Sequence, residues 1–266
     1  MNNFQKPLAM GRTAEIFAME DGRVLKLFFP TIPQAWIDKE VDTGRYIQDA
    51  GLPVPKVYER MKVNDREGVI YERIDGPSLL NELATKPWNV TRYARLLAQL
   101  HARVHDVPAP PSLETQREWA RGGIPQTDKL PKDLQQKVLR LLDSMPAGNQ
   151  LCHGDFHPGN IIVTPRGPVI IDWMTASKGA TCGDVARAAI ILEAAQAPKG
   201  TPMRWLLEWV RKLFLATYLK AYFQLRPAEK DSFPAWRTIM AANFFVDVSL
   251  PEEGASLMEI VKRGIE

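Results

Sequence analysis

Cysteine, histidine and long apolar runs are all scarce in this chain of 266 residues, which holds two cysteines and four histidines. Cys152 and Cys182 build no disulfide framework, so the fold has to rest on an apolar core. Both flank the motifs described below, where an activated thiol is conceivable, but small buried filler is the preferred reading. The most apolar stretch, Ala186 to Ala197, is interrupted by Arg187 and Glu193. It falls far short of the roughly 18 residues a membrane span requires. Met1 to Met10 contains Lys6 and Pro7 but no apolar segment of export-signal length. These absences set the expectation of a cytoplasmic protein with no membrane partner. An excess of one charge is missing too. The chain carries 34 Lys and Arg against 31 Asp and Glu, and no basic stripe interleaved with aromatics marks a nucleic-acid surface. With 45% apolar and 24% charged residues the composition is that of a globular protein able to bury a core.

The most informative stretch is His153–Gly154–Asp155–Phe156–His157–Pro158–Gly159–Asn160, followed by the β-branched run Ile161–Ile162–Val163. A second such run, Val169–Ile170–Ile171, ends in Asp172, and Thr164–Pro165–Arg166–Gly167 between them has the punctuation of a tight hairpin. Loop, hairpin and second loop would bring Asp155, Asn160 and Asp172 to one end of a rigid unit. Two oxygen ligands and one further carboxylate are what metal-assisted phosphoryl transfer asks of a protein. Caps, Asx-turns and strand starts use the same residue types, but not all three at these spacings.

This block, with the later Ile171–Asp172–Trp173, resembles the catalytic and metal loops of the aminoglycoside phosphotransferase/choline kinase-like family. The resemblance implies an α+β, bilobal protein-kinase-like fold, in which a small antiparallel β lobe with one helix precedes a larger, mainly helical lobe. It implies Asp155 as catalytic base, Asn160 and Asp172 as Mg²⁺ ligands, and ATP or GTP as phosphoryl donor. The acceptor would be a hydroxyl of an aminoglycoside, amino alcohol, sugar or related metabolite. A catalytically weak nucleotide-binding regulator or interaction protein of the same fold is the alternative.

Residues 1–74 read as the nucleotide-binding β lobe. Gly11–Arg12–Thr13–Ala14 leads into Glu15–Ile16–Phe17–Ala18, Asp21–Gly22 marks a turn, and Val24 to Phe29 forms the next strand. Alternation places Lys26 on the face of Val24 and Phe28, where an edge lysine is the plain reading and a phosphate-reaching lysine the functional one. The spacing predicts a helix from Pro33 to Ala50 with Trp36, Ile37, Glu40, Gly44 and Ile47 on one face. Glu40 then points inward among apolar residues, where an unpaired carboxylate is costly, and Lys26 is the partner to expect. The pair matches the kinase lysine–glutamate pair in order. Gly11, Arg12 and Thr13 stand where the kinase phosphate loop would be, with one glycine where protein kinases carry three. By resemblance, Glu72 and Ile74 are candidates for main-chain contact with the nucleotide base.

Residues 75–266 read as the helical lobe, with the catalytic loop and the acceptor's site. A helical stripe from Trp88 to His105 puts His101 and His105 on one face; with no third ligand apparent nearby, they read as core or capping histidines. Asp184 before Val185 looks like a helix N-cap, and by resemblance it also supports the catalytic loop, as His153 does by hydrogen bonding. Helices are expected over 201–224 and 227–248, their aromatics mostly in the core, and a short last one through Met258–Lys262. Glu193, Glu208 and Asp247 read as solvated acids rather than contacts for a cationic acceptor.

Overall fold

A computed structural model of the chain describes residues 6–195, 200–246 and 251–266, the side chains of 251–253 apart. In chain order the first elements are β1 (Ala9–Met10), β2 (Ala14–Ala18), β3 (Arg23–Phe28), α1 (Gln34–Asp49), β4 (Val57–Val63) and β5 (Arg66–Glu72). Then come α2 (Leu79–Thr85), α3 (Val90–Val104), α4 (Gln116–Gly123), α5 (Lys132–Ser144), β6 (Gln150–Cys152), β7 (Ile161–Thr164) and β8 (Gly167–Ile170). The last are β9 (Ser177–Gly179), α6 (Thr181–Ala194), α7 (Arg204–Leu225), α8 (Phe233–Phe244) and α9 (Pro251–Ile265). This is the expected α+β arrangement, an antiparallel sheet with one helix followed by a mainly helical region. Among the described residues no helix is long and apolar enough to cross a membrane.

Packing divides the chain into two compact units: residues 1–81 with 159–174, and residues 82–158 with 175–266. In the first, the five strands run in the order β1-β2-β3-β5-β4, every neighbour antiparallel. Strand alternation gives the sheet two apolar faces. Ala14, Phe28 and Val69 pack with Ile37 and Val41 of α1, while Leu25, Leu27 and Ile70 form a separate cluster. Asn64 and Asp65, both at positive φ, make the tight β4–β5 turn. Helix α1 buries Ile37, Glu40, Gly44 and Ile47 as its spacing predicts, and Val41 and Thr43 besides, but Trp36 lies around the cylinder from Ile37 and is 53% exposed.

The β7–β8 hairpin belongs to this first unit for a backbone reason. Val163 donates to the Pro77 carbonyl at 2.9 Å and Ile170 to that of Pro53 at 2.7 Å, and Ser78 bridges Ile162. Its register pairs Thr164 with Gly167, leaving the Pro165–Arg166 turn.

In the second unit α4, α5, α6, α8 and α9 enclose a core that includes Ile124, Val138, Leu142, Ile190, Trp236, Ile239 and Phe245. Helix α7 buries Val210, Phe214, Tyr218 and Tyr222, an i, i+4 row. Trp205 and Trp209 project from the opposite side of that helix, 71% and 57% exposed, and so are not core residues. The expected 227–248 helix starts late, because Pro227–Ser232 is a 3-10 turn and α8 begins at Phe233 with Pro234 in its first turn. Its expected end lies outside the described residues, as does Asp247. Asp184 is not an N-cap: α6 starts at Thr181 after Ala180, which places Asp184 inside the first turn with its side chain buried.

Candidate active site

In the first unit the site is built on Lys26. The middle of β3 aims its ammonium at α1, where Glu40 Oε1 accepts at 2.6 Å; Asp172 Oδ1 accepts from the same nitrogen at 3.2 Å. The expected Lys26–Glu40 pair therefore forms, with side-chain exposures of 12% and 5%. Tyr71 of β5 donates its hydroxyl to Glu40 Oε1 at 3.1 Å, while Glu40 Oε2 is buried with no hydrogen-bond partner among the described residues. Burial alone would lower the Lys26 pKa; the two carboxylates outweigh it and hold the ammonium above its ordinary value. Burial, reinforced by Glu40, pushes the Tyr71 phenol well up, so it serves as a neutral donor.

Asn160 and Asp172 stand at the open end of the β7–β8 hairpin. Ile171 N donates to the Asn160 carbonyl at 3.0 Å, extending the ladder by one bond up to the residue before Asp172. Asp172 adopts a left-handed backbone, φ 65°, an uncommon conformation of the kind that clusters at functional positions. Its side chain is 44% exposed, whereas Asn160 is buried. One carboxylate and one amide offer hard oxygen donors, the set that suits Mg²⁺ or Ca²⁺. At the sheet's end, Gly11 N closes a turn onto the Ala14 carbonyl at 2.9 Å, and Arg12 and Thr13 form its tip between β1 and β2. Glu72 ends β5 with its amide already bonded to Lys56 O and its carboxylate to Arg166; Ile74, half-buried, lies just beyond the strand.

In the second unit the loop carrying Asp155 is held by side chains from elsewhere. Asp184 Oδ2 accepts the amide of His153 at 2.6 Å, and Oδ1 accepts that of Gly154 at 2.9 Å. The Nε2 atoms of His101 and His105 lie 3.1 and 3.3 Å from Asp184 Oδ2. Their Nδ1 atoms lie 2.6 and 2.7 Å from the hydroxyls of Tyr218 and Tyr222. One assignment satisfies every group: each tyrosine donates to Nδ1, and each ring donates from Nε2 to an ionised Asp184. Burial and the neighbouring His105 lower His101 to about 3, which keeps the ring uncharged. Burial would raise Asp184, but the two histidine hydrogen bonds hold it well below the usual carboxylate range. Phe156 stacks on His101 with centroids 4.0 Å apart, and Asp155 N donates to His153 Nδ1 at 3.2 Å. His157 Nε2 lies 3.4 Å from Asp155 Oδ2.

A family model described as "phosphotransferase enzyme family" matches residues 5–232. The chain belongs to the phosphotransferase enzyme family. Solved structures share the fold of this family member at low identity. An amicoumacin kinase in complex with AMP-PNP, Ca²⁺ and Ami is 17% identical over 98% of this chain and 89% of its own, with a TM-score of 0.65. A choline/ethanolamine kinase family protein from Mesorhizobium loti is 16% identical over 100% and 90%, TM-score 0.65. A streptomycin–ATP–APH(2'')-IIa ternary complex gives 15%, 97% and 90%, TM-score 0.58. No curated protein sequence matches the chain.

Sequence reading missed the partners of Asp184 in this phosphotransferase-family chain. His101 and His105, taken separately as core or cap, converge on one carboxylate oxygen together with the His153 amide. The available signal was the matched i, i+4 spacing of His101/His105 and Tyr218/Tyr222. Both cysteines are buried; burial pushes Cys152 well up and Cys182 to about 12, so these are inert thiols. Glu193 and Glu208 are engaged by Arg237 and Arg211, at 2.8 and 2.6 Å.

Proposed function

We propose that this chain transfers the γ-phosphoryl group of ATP or GTP to a hydroxyl of a small molecule such as an aminoglycoside, amino alcohol, sugar or related metabolite. The observation that carries the reading is the Lys26 ammonium fixed between Glu40 and Asp172, a partly buried cation whose strand, helix and hairpin partners leave it little freedom. Membership of the family supports it, as do the ligands of two relatives: AMP-PNP with Ca²⁺ in one, ATP with streptomycin in the other.

In this reading residues 1–74 bind the nucleotide and residues 75–266 carry the catalytic loop and the acceptor's site. Lys26 neutralises phosphate oxygens and Glu40 orients it; Gly11, Arg12 and Thr13 offer main-chain amides to phosphate, and Glu72 and Ile74 offer main-chain groups to the base. Asn160 and Asp172 would hold Mg²⁺, which supplies charge neutralisation across the phosphates when bound. Asp155 accepts the proton of the acceptor hydroxyl while its loop is positioned by His153 and Asp184. Positioning and electrostatics, rather than covalent chemistry, then account for the rate.

A Mg·ATP turnover screen against aminoglycosides, amino alcohols and sugars tests this. The expected result is phosphorylation of at least one class by the wild type and none by Asp155→Ala with nucleotide binding intact. Turnover that survives Asp155→Ala removes the base; absence of any binding of Mg·ATP or Mg·GTP removes the kinase reading altogether.

A further inference from the structure

Arg187 has no part in the chemistry described so far, yet it is buried to 7% exposure in the second unit. Its Nε donates to the carbonyl of Gly154, the residue before Asp155. The guanidinium stacks on Trp119 of α4, 4.4 Å from the ring centroid, and lies 5.7 Å from that of Phe244 in α8. It sits one turn after Asp184 on α6, so a single helix presents an acceptor and a donor to the same two-residue segment.

The backbone accounting of that segment is complete. His153 N and Gly154 N are taken by Asp184, His153 O accepts from Thr175 Oγ1 at 2.9 Å, and Gly154 O accepts from Arg187. Gly154 has φ 79°, and a Cβ there would come within 2.4 Å of the Thr175 carbonyl, so no other residue fits the path. Burying a guanidinium is costly unless its charge and donors are used. Two aromatic faces offset part of the cost of burying the cation, and the Gly154 carbonyl accounts for the orientation of Nε.

We propose that Arg187 is a positioning residue: it fixes the Gly154–Asp155 peptide and thereby the direction in which the Asp155 carboxylate points. The inference rests on the proposed role of Asp155. It predicts an effect on turnover number rather than on nucleotide affinity, because the groups assigned to the nucleotide belong to the first unit and Arg187 to the second.

The test compares Arg187→Met, which keeps the apolar stem but no donor, with Arg187→Lys, which keeps a charged donor. In the full-length protein, Arg187→Met should lower kcat for Mg·ATP turnover about 10- to 100-fold, with KM for ATP within about twofold. Arg187→Lys should recover about threefold or more of that loss. Amide hydrogen exchange gives a readout independent of activity. Arg187→Met should speed exchange about tenfold in a peptide spanning residues 150–157 and leave residues 90–97 of α3 within about twofold. Unchanged exchange over 150–157, or an equal rise in both peptides, overturns the proposal. So does a matching fall in kcat with no difference between the Met and Lys variants. If the wild type turns over no nucleotide while exchange responds as expected, the enzymatic reading fails and the positioning of the loop by Arg187 stands.

Discussion

The two charged clusters of this molecule are built on opposite principles. Around Lys26, one ammonium faces two carboxylates, one of them 44% exposed and on a left-handed backbone, and one glutamate oxygen has no hydrogen-bond partner among the described residues. Around Asp184, one fully buried carboxylate accepts two amides and faces two imidazoles whose far nitrogens are themselves satisfied by tyrosines. The first cluster retains charge and coordination capacity; the second has spent its own on the backbone. A group that must engage a ligand cannot be saturated in advance, whereas a group that fixes a loop is most effective when saturated.

Substitutions should separate the two. The largest effect expected is at Asp155: changing it to Ala should lower phosphoryl transfer about 10³-fold, in steady-state assays, with nucleotide affinity within about threefold. Asp172→Ala should come next, with turnover down about 100-fold and the Mg²⁺ dependence of nucleotide binding lost in titration calorimetry. Neither should shift stability by more than about 1 kcal/mol, since Asp172 is half-exposed and Asp155 acts at the loop. Asp184→Ala reverses the pattern, because it strips partners from two amides and two imidazoles. Unfolding free energy from urea titration should fall by about 3–5 kcal/mol. A stability close to wild type in Asp184→Ala would end the contrast drawn above.

Acid should act on the second cluster in a defined direction. His101 is held neutral, from its ordinary 6.5 down to about 3, so the unfolded chain binds a proton in that interval that the folded chain does not. Stability is therefore complete above about 6.5 and declines as pH falls, with a limiting slope near 1.4 kcal/mol per pH unit. Asp184, depressed below its ordinary value, adds to the loss at lower pH, as the unfolded carboxylate protonates first. Thermal melts between pH 7 and 4.5 should show this, and His101→Gln, which keeps a donor but does not titrate, should flatten the slope. The smallest effect expected is at Glu40: Glu40→Gln should slow transfer about tenfold with little change in melting temperature, as Lys26 retains Asp172. An unchanged rate would detach the pair from function.

Local periodicity made much of this legible in advance. Period two in β3 and period 3.6 in α1 suffice to turn Lys26 and Glu40 inward, and the Pro165–Arg166 turn sets the register that places Asn160 opposite Ile171, next to Asp172 in the chain. Trp36, Trp205 and Trp209 show where such reasoning stops. An aromatic in a helix is assigned to the core by default, but its exposure depends on which side the neighbouring helix takes. The meeting of His101 with Asp184 spans a separation of 83 residues, and that of His101 with Tyr218 spans 117; no local period encodes either.

The order and spacing of the motif residues, and the strand and helix faces that carry them, were determined by the amino-acid sequence, because each depends on neighbours a few positions away; the kinase-like class of the fold followed from the resemblance of the motif block to a known family. Tertiary structure alone decided that residues 159–174 pack with the N-terminal sheet, and that Arg187 and Thr175 complete the binding of the His153–Gly154 backbone. It also decided that two histidines and two tyrosines close around one aspartate. Those outcomes turn on which buried polar groups find partners when distant segments come together, and the requirement that each be satisfied is imposed only in the packed interior.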